Sequence, residues 1–138
     1  MNPLEVMEQQ EKFFSGSAIN VKSLSKVYGI RKAEMSKLLK CQRQQVNTIF
    51  AKTDYTPRSK VIQKKLNDMI KIYSILRVLL KTPGSEKDRQ EMDEKIFQWF
   101  RIPNPAFPDA MSPFELISEG KGEIVIRSLM DQLHGKPS

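Results

Sequence analysis

"RKAEMSKLLKCQRQQVNTIFA", residues 31–51, places Met35, Leu38, Leu39, Cys41, Val46, Ile49 and Phe50 at intervals that match two short helices crossing through a tight turn. Ser36, a small residue, stands four positions before that turn, where the helices approach most closely. Cys41 lies just after it and reads as a core residue, because no base stands beside it to make a nucleophile.

Upstream, Asn20 can cap a preceding helix whose apolar residues are Val21, Leu24, Val27 and Tyr28. Gly29 ends that helix where a left-handed residue costs least. Residues 1–18 are polar, close in Ser15-Gly16-Ser17, and read as a loose arm. Downstream, Thr56 can cap a long helix with Pro57 in its first turn. There Ile62, Leu66, Met69, Tyr73, Leu76 and Leu80 recur at spacings of 4, 3, 4, 3 and 4, and Ile72, Ile75 and Leu79 add a second stripe. Two apolar faces fit a core helix or a helix pairing across a homodimer seam. Lys81-Thr82-Pro83-Gly84-Ser85 breaks it.

Ser85 can cap a further helix over residues 86–100, whose inward stripe is Met92, Ile96, Trp99 and Phe100. "PNPAFPDAMSPFELIS", residues 103–118, then packs four prolines into sixteen positions. Ser112, Pro113 and Glu115 supply a cap, a first-turn proline and an acid at the third helical position, and Gly120 closes that short helix. The stiff loop reads as architecture that holds Trp99, Phe107 and Phe114 together. A last helix from about Gly122 to His134 turns Val125, Ile126, Leu129, Met130 and Leu133 inward, before Gly135 and Pro137. The expected fold class is all-α.

One cysteine among 138 residues leaves no disulfide framework and fits a reducing cytoplasm. With one histidine, no glycine-rich phosphate loop and no clustered metal ligands, neither an enzyme nor a cofactor or metal site is expected. The start, MNPLEVMEQQEKFF, has acids where a secretory leader needs cations. The longest apolar run, YSILRVLL, is too short to span a membrane and holds Arg77. Residues 20–60 carry ten Lys and Arg against Glu34 and Asp54, a net +8 within a chain total of +7. From Lys81 to Ser138 eight cations face ten acids. A cationic half attracts phosphates in a salt-dependent way, although a solvated lysine surface has the same composition.

Residues 32–51 resemble the helix-turn-helix of Xre and lambda-repressor-like regulators, with Ser36 and Lys40 where that family usually has alanine and glycine. The resemblance implies a second helix starting near Gln42, with Gln42, Arg43, Gln44, Gln45, Asn47 and Thr48 facing outward. Such side chains suit major-groove reading, with Arg forking onto guanine and Gln or Asn onto adenine. Lys40, Lys52 and Arg58 would flank the groove and hold phosphates.

Residues 95–135 resemble the C-terminal, toxin-binding domain of MbcA/ParS/Xre antitoxins. The likeness is carried by Trp99, Asn104-Pro105-Ala106-Phe107, Ser112-Pro113, Glu115-Leu116-Ile117 and Gly120. Together the two resemblances imply an Xre-like helix-turn-helix over 19–56 and a small helical toxin-binding domain over 85–138, with the polar arm over 1–18 before them and the apolar-striped central helix over 57–81 between them. They further imply a homodimer that occludes the active site of a RES-domain, NAD-consuming toxin and represses its own operon. Toxin contact would fall on Glu119, Lys121, Glu123, Arg127, Met130, Gln132, His134 and Lys136, with Glu119 and Glu123 competing for a cationic dinucleotide site. A stand-alone Xre-type transcriptional regulator with no toxin partner is the alternative.

Overall fold

In the computed structural model, which describes residues 3–80 and 86–135, the chain is mostly helical. The elements run α1 (Pro3–Glu11), β1 (Phe14–Ser15), β2 (Ala18–Ile19), α2 (Val21–Tyr28), α3 (Lys32–Leu39), α4 (Arg43–Ile49) and α5 (Lys60–Leu79). They continue with α6 (Glu86–Arg101), a 3-10 turn at Pro108–Ala110, α7 (Pro113–Ser118) and α8 (Gly122–Leu133). The expected breaker and cap at residues 81–85, together with Lys136 and Pro137, lie outside the described residues.

Helix α5 is the axis. Its Ile62, Leu66, Met69, Ile70, Ile72, Tyr73, Ile75, Leu76 and Val78 are all buried, because α1 and α8 pack along it and α7 also touches it. The double stripe is therefore covered by the chain's own helices, as the core reading requires. Leu80, expected to end the first stripe, is instead 44% exposed. One apolar cluster takes in residues from Val6 to Leu133, so the segments distinguished in the sequence share a single core.

Over the described part of the expected loose arm, residues 3–18, the chain is folded onto the core. Helix α1 lies against α5, with Val6 and Phe13 buried. Phe13 meets the Tyr73 ring edge-on at 5.7 Å between centroids, a favoured aromatic geometry. The two-residue strands β1 and β2 pair antiparallel, Phe14 opposite Ile19, a small departure from an all-helical fold that a single bridge from Ile19 to Tyr55 extends.

Helix α5 begins at Lys60, later than Thr56 and Pro57 suggest. Ser59 is the cap, its Oγ accepting the Ile62 N–H at 3.3 Å. Ile19 and Tyr55 exchange two backbone hydrogen bonds of 2.7 and 2.8 Å. That bridge keeps the chain out of helix at Tyr55 and leaves Thr56 and Pro57 in the connection.

Other local signals act as expected. Asn20 Oδ1 accepts the Ser23 N–H at 2.9 Å. Gly29 takes a left-handed conformation (φ 61°), and a Cβ there would lie 2.9 Å from the Phe97 ring. In the proline-rich segment Ser112 Oγ accepts the Glu115 N–H at 3.1 Å while Glu115 Oε1 accepts the Ser112 N–H at 3.2 Å, a reciprocal capping box. Trp99 and Phe107 line one groove, whereas Phe114 sits edge-on to Phe100 at 5.7 Å.

Arg101 joins the C-terminal half to the helices before it. Its Nε and Nη2 donate to both Glu34 oxygens at 2.8 and 3.0 Å, and Nη1 and Nη2 donate to the Tyr28 and Gly29 carbonyls at 3.0 and 2.9 Å. The guanidinium thus closes the C-terminal end of α2 and the N-terminal turn of α3 at once. Nearby, the buried Tyr28 hydroxyl donates to the Met69 carbonyl on α5, and burial pushes its pKa well above 10.0.

Truncating Phe13→Ala should lower unfolding free energy by about 3 kcal/mol in urea titration, as for a core aromatic; a change within ~0.5 kcal/mol would return residues 1–18 to the status of an arm. The Arg101 hydrogen bonds hold the Glu34 carboxyl below its ordinary 4.5. A lowered folded-state pKa stabilises above the unfolded value, and that contribution is lost as pH falls through the folded one. Glu34→Gln should therefore be less stable than wild type at pH 7, with the gap closing as pH drops below about 4.5.

Candidate nucleic-acid interface and partner surface

The turn between α3 and α4 is built from three polar contacts. Lys40 adopts a left-handed conformation (φ 54°, ψ 48°) at the end of α3, where a side chain costs more than glycine. The Cys41 N–H donates to the Ser36 carbonyl at 3.2 Å, and Ser36 Oγ donates to the Cys41 carbonyl at 2.7 Å. Lys65, itself buried on α5, donates Nζ to the Leu38 carbonyl at 2.9 Å, capping α3 from the core side. Cys41, expected in the core, is half-buried. Burial pushes its thiol up against the opposing pull of Lys65.

With the turn fixed, Val46 and Ile49 anchor α4, and Gln42, Arg43, Gln44, Gln45, Asn47 and Thr48 are all exposed. Thr48 Oγ1 donates back to the Gln44 carbonyl at 3.1 Å, which leaves its oxygen as an acceptor only. Lys40, Lys52 and Arg58 are exposed too. The Lys22 N–H donates to the Lys52 carbonyl at 3.0 Å, so a further exposed lysine joins that flank.

The described C-terminal candidates fall in three places. Glu123, Arg127, Met130 and His134 follow one edge of α8 at helical spacing, with Met130 half-buried against the core. Gln132 lies half a turn away, where it lines a groove of about 310 Å³ with Trp99, Phe107 and Leu129. Glu119 and Lys121 are exposed at the corner between α7 and α8, and Lys136 falls outside the described residues.

Both carboxylates expected to face a partner already have cations beside them. Glu119 Oε2 lies 3.7 Å from Lys40 Nζ. Glu123 Oε2 accepts from Lys64 Nζ at 2.9 Å, and Lys64 also reaches Asp68 Oδ2 at 2.8 Å and the Gly120 carbonyl at 3.3 Å. Hydrogen bonding to Lys64 holds the Glu123 pKa below its ordinary 4.5. The start of α8 fits closely over this knot, since a Cβ on Gly122 would lie 2.5 Å from Asp68 Oδ2.

Lys64, Lys65, Arg101 and Ser118 were not among the residues singled out by sequence. Lys64 and Asp68 carried a readable signal as an i, i+4 pair on a helix, and Lys65 as a lysine beside Leu66 on an otherwise apolar stripe. The hydroxyl of Ser118, which donates to the Lys37 carbonyl at 3.1 Å, had none.

Replacing Lys40 tests the turn. Lys40→Gly and Lys40→Ala both remove the ammonium, so their difference isolates the backbone; the glycine variant should be about 1 kcal/mol more stable in urea titration. Equal stabilities would contradict a left-handed residue at this position.

Comparison with known protein families, with curated proteins and with solved structures finds no match for this chain.

Proposed function

We propose that this protein is an antitoxin of the RES-Xre kind, a homodimer whose C-terminal half covers the active site of an NAD-consuming RES-domain toxin. Its α3–α4 pair would contact operator DNA and so regulate its own operon. The observation that carries the reading is the exposed side of α4 and its cap: six polar side chains, the cap Gln42 and Arg43, Gln44, Gln45, Asn47 and Thr48 of the helix, are exposed while Val46 and Ile49 hold the helix down. Arginine and amide side chains on a helix that enters the major groove are the groups that distinguish bases there. The exposed Lys40, Lys52 and Arg58 supply the phosphate contacts that fix register.

The toxin-facing half rests on the resemblance of residues 95–135. Support comes from the capping box at Ser112 and Glu115, which fixes the Ser-Pro element, and from Asn104, whose Oδ1 and carbonyl accept the Ala106 and Phe107 N–H groups at 2.9 and 3.0 Å within the Asn-Pro-Ala-Phe element. The second reading, a regulator without a toxin, is favoured by one contact. Glu123 is held by Lys64 and must leave that cation before it can meet a dinucleotide site.

Co-expression with a candidate RES-domain toxin tests both halves. The antitoxin reading expects restored growth and NAD level, and co-purification of the two chains. Arg43→Ala with Gln45→Ala should abolish operator binding in a gel shift while leaving rescue intact. If Lys40, Lys52 and Arg58 each neutralise one phosphate, affinity should fall roughly fortyfold between about 50 and 200 mM salt. Operator binding without rescue would leave the regulator reading standing; rescue without operator binding would remove the nucleic-acid half.

A further inference from the structure

The α7–α8 corner touches the turn of the α3–α4 pair directly. Helices α3 and α7 pack together, Ser118 Oγ donates to the Lys37 carbonyl at 3.1 Å, and the next residue, Glu119, places its carboxylate 3.7 Å from Lys40 Nζ. Both partners are more than half exposed, at 57% and 53%, so the pair is open to competition from another anion. Lys65, buried on α5 and bonded to the Leu38 carbonyl two residues before Lys40, feels Lys40 as a repelling charge and Glu119 as an attracting one. Glu119 therefore faces two cations, of which only Lys40 can reach a ligand.

We propose that Glu119 is a built-in phosphate mimic, which occupies Lys40 in the free protein and damps duplex binding until a phosphate or a partner releases the pair. The inference rests on the reading of α4 as a duplex-contacting helix. A carboxylate and a phosphate oxygen compete for the same ammonium, and both are displaced by salt. Exposed ion pairs are weak, so the damping is about two- to fivefold, not an on–off switch. Any ligand that takes Glu119 frees Lys40, and by linkage duplex binding must favour that ligand by the same factor.

The test is fluorescence anisotropy with a labelled mixed-sequence duplex of about 25 base pairs, long enough for groove and flanking phosphates, at about 50 and 200 mM salt. Four intact-chain proteins are compared: wild type, Glu119→Gln, Lys40→Gln and the double variant. Glu119→Gln should bind about two- to fivefold more tightly at low salt, and the gain should vanish in the Lys40→Gln background. Glu91→Gln, which removes the same charge from an exposed position on α6, controls for net charge and should bind as wild type does. Should Glu119→Gln lose helicity by circular dichroism, Glu119→Asp replaces it, with a smaller gain of the same sign.

Equal affinities for wild type and Glu119→Gln overturn the proposal and leave the duplex-binding reading intact. So does a gain that persists without Lys40, since that is a general charge effect. Failure of every variant to bind the duplex at low salt overturns the duplex-binding reading and this inference with it.

Discussion

Helix α5 is apolar on so much of its circumference that it must be wrapped before it is stable. A helix with a single stripe can leave its other side to water; here Ile72, Tyr73, Ser74, Ile75 and Leu76 are buried in succession. That run requires cover on every side, and α1, α7 and α8 supply it from opposite ends of the sequence. The short helices α3 and α4 have too few residues to persist alone. They keep their geometry because Lys65 of α5 closes α3 and Met35, Leu38, Val46 and Ile49 join the same core.

Around that core the polar contacts connect the cationic first half to the acidic second half. Arg101 reaches back to Glu34, and Lys64 reaches forward to Glu123. Their energies differ. Lys64 and Glu123 are largely solvent-exposed, so their pairing contributes little beyond orientation. Arg101 is a planar fork with five donors, and it uses them on two carboxylate oxygens and on carbonyls at a helix end. A lysine in its place could satisfy only part of that set.

How much of this was legible in the sequence follows from how local each cause is. Asn20, Gly29 and the Ser112–Glu115 box act within three or four residues, and each does what its position implies. Helix α1 was missed because Val6 is the only buried side chain described in it, while Leu4 and Met7 are exposed, so no stripe marks its inner face; Phe13, the next buried residue, lies past its end. The start of α5 was misplaced because Thr56 and Ser59 are both good caps, and the choice is made by Tyr55 pairing with Ile19, thirty-six positions earlier. The outward residues of α4 were legible once the helix-turn-helix resemblance set its start near Gln42, because Val46 and Ile49 are then the apolar pair three apart that turns inward. The occupation of Glu119 and Glu123 by lysines 79 and 59 residues away was not.

The single core also governs how the protein can be dissected. Because α1 and α8 share α5 as their support, expressing either end of the chain by itself would strip apolar residues such as Ile72, Ile75 and Leu129 of their cover. Isolated fragments would aggregate or stay unstructured before they reported any affinity. Each surface is best studied on the whole molecule, silenced one side chain at a time.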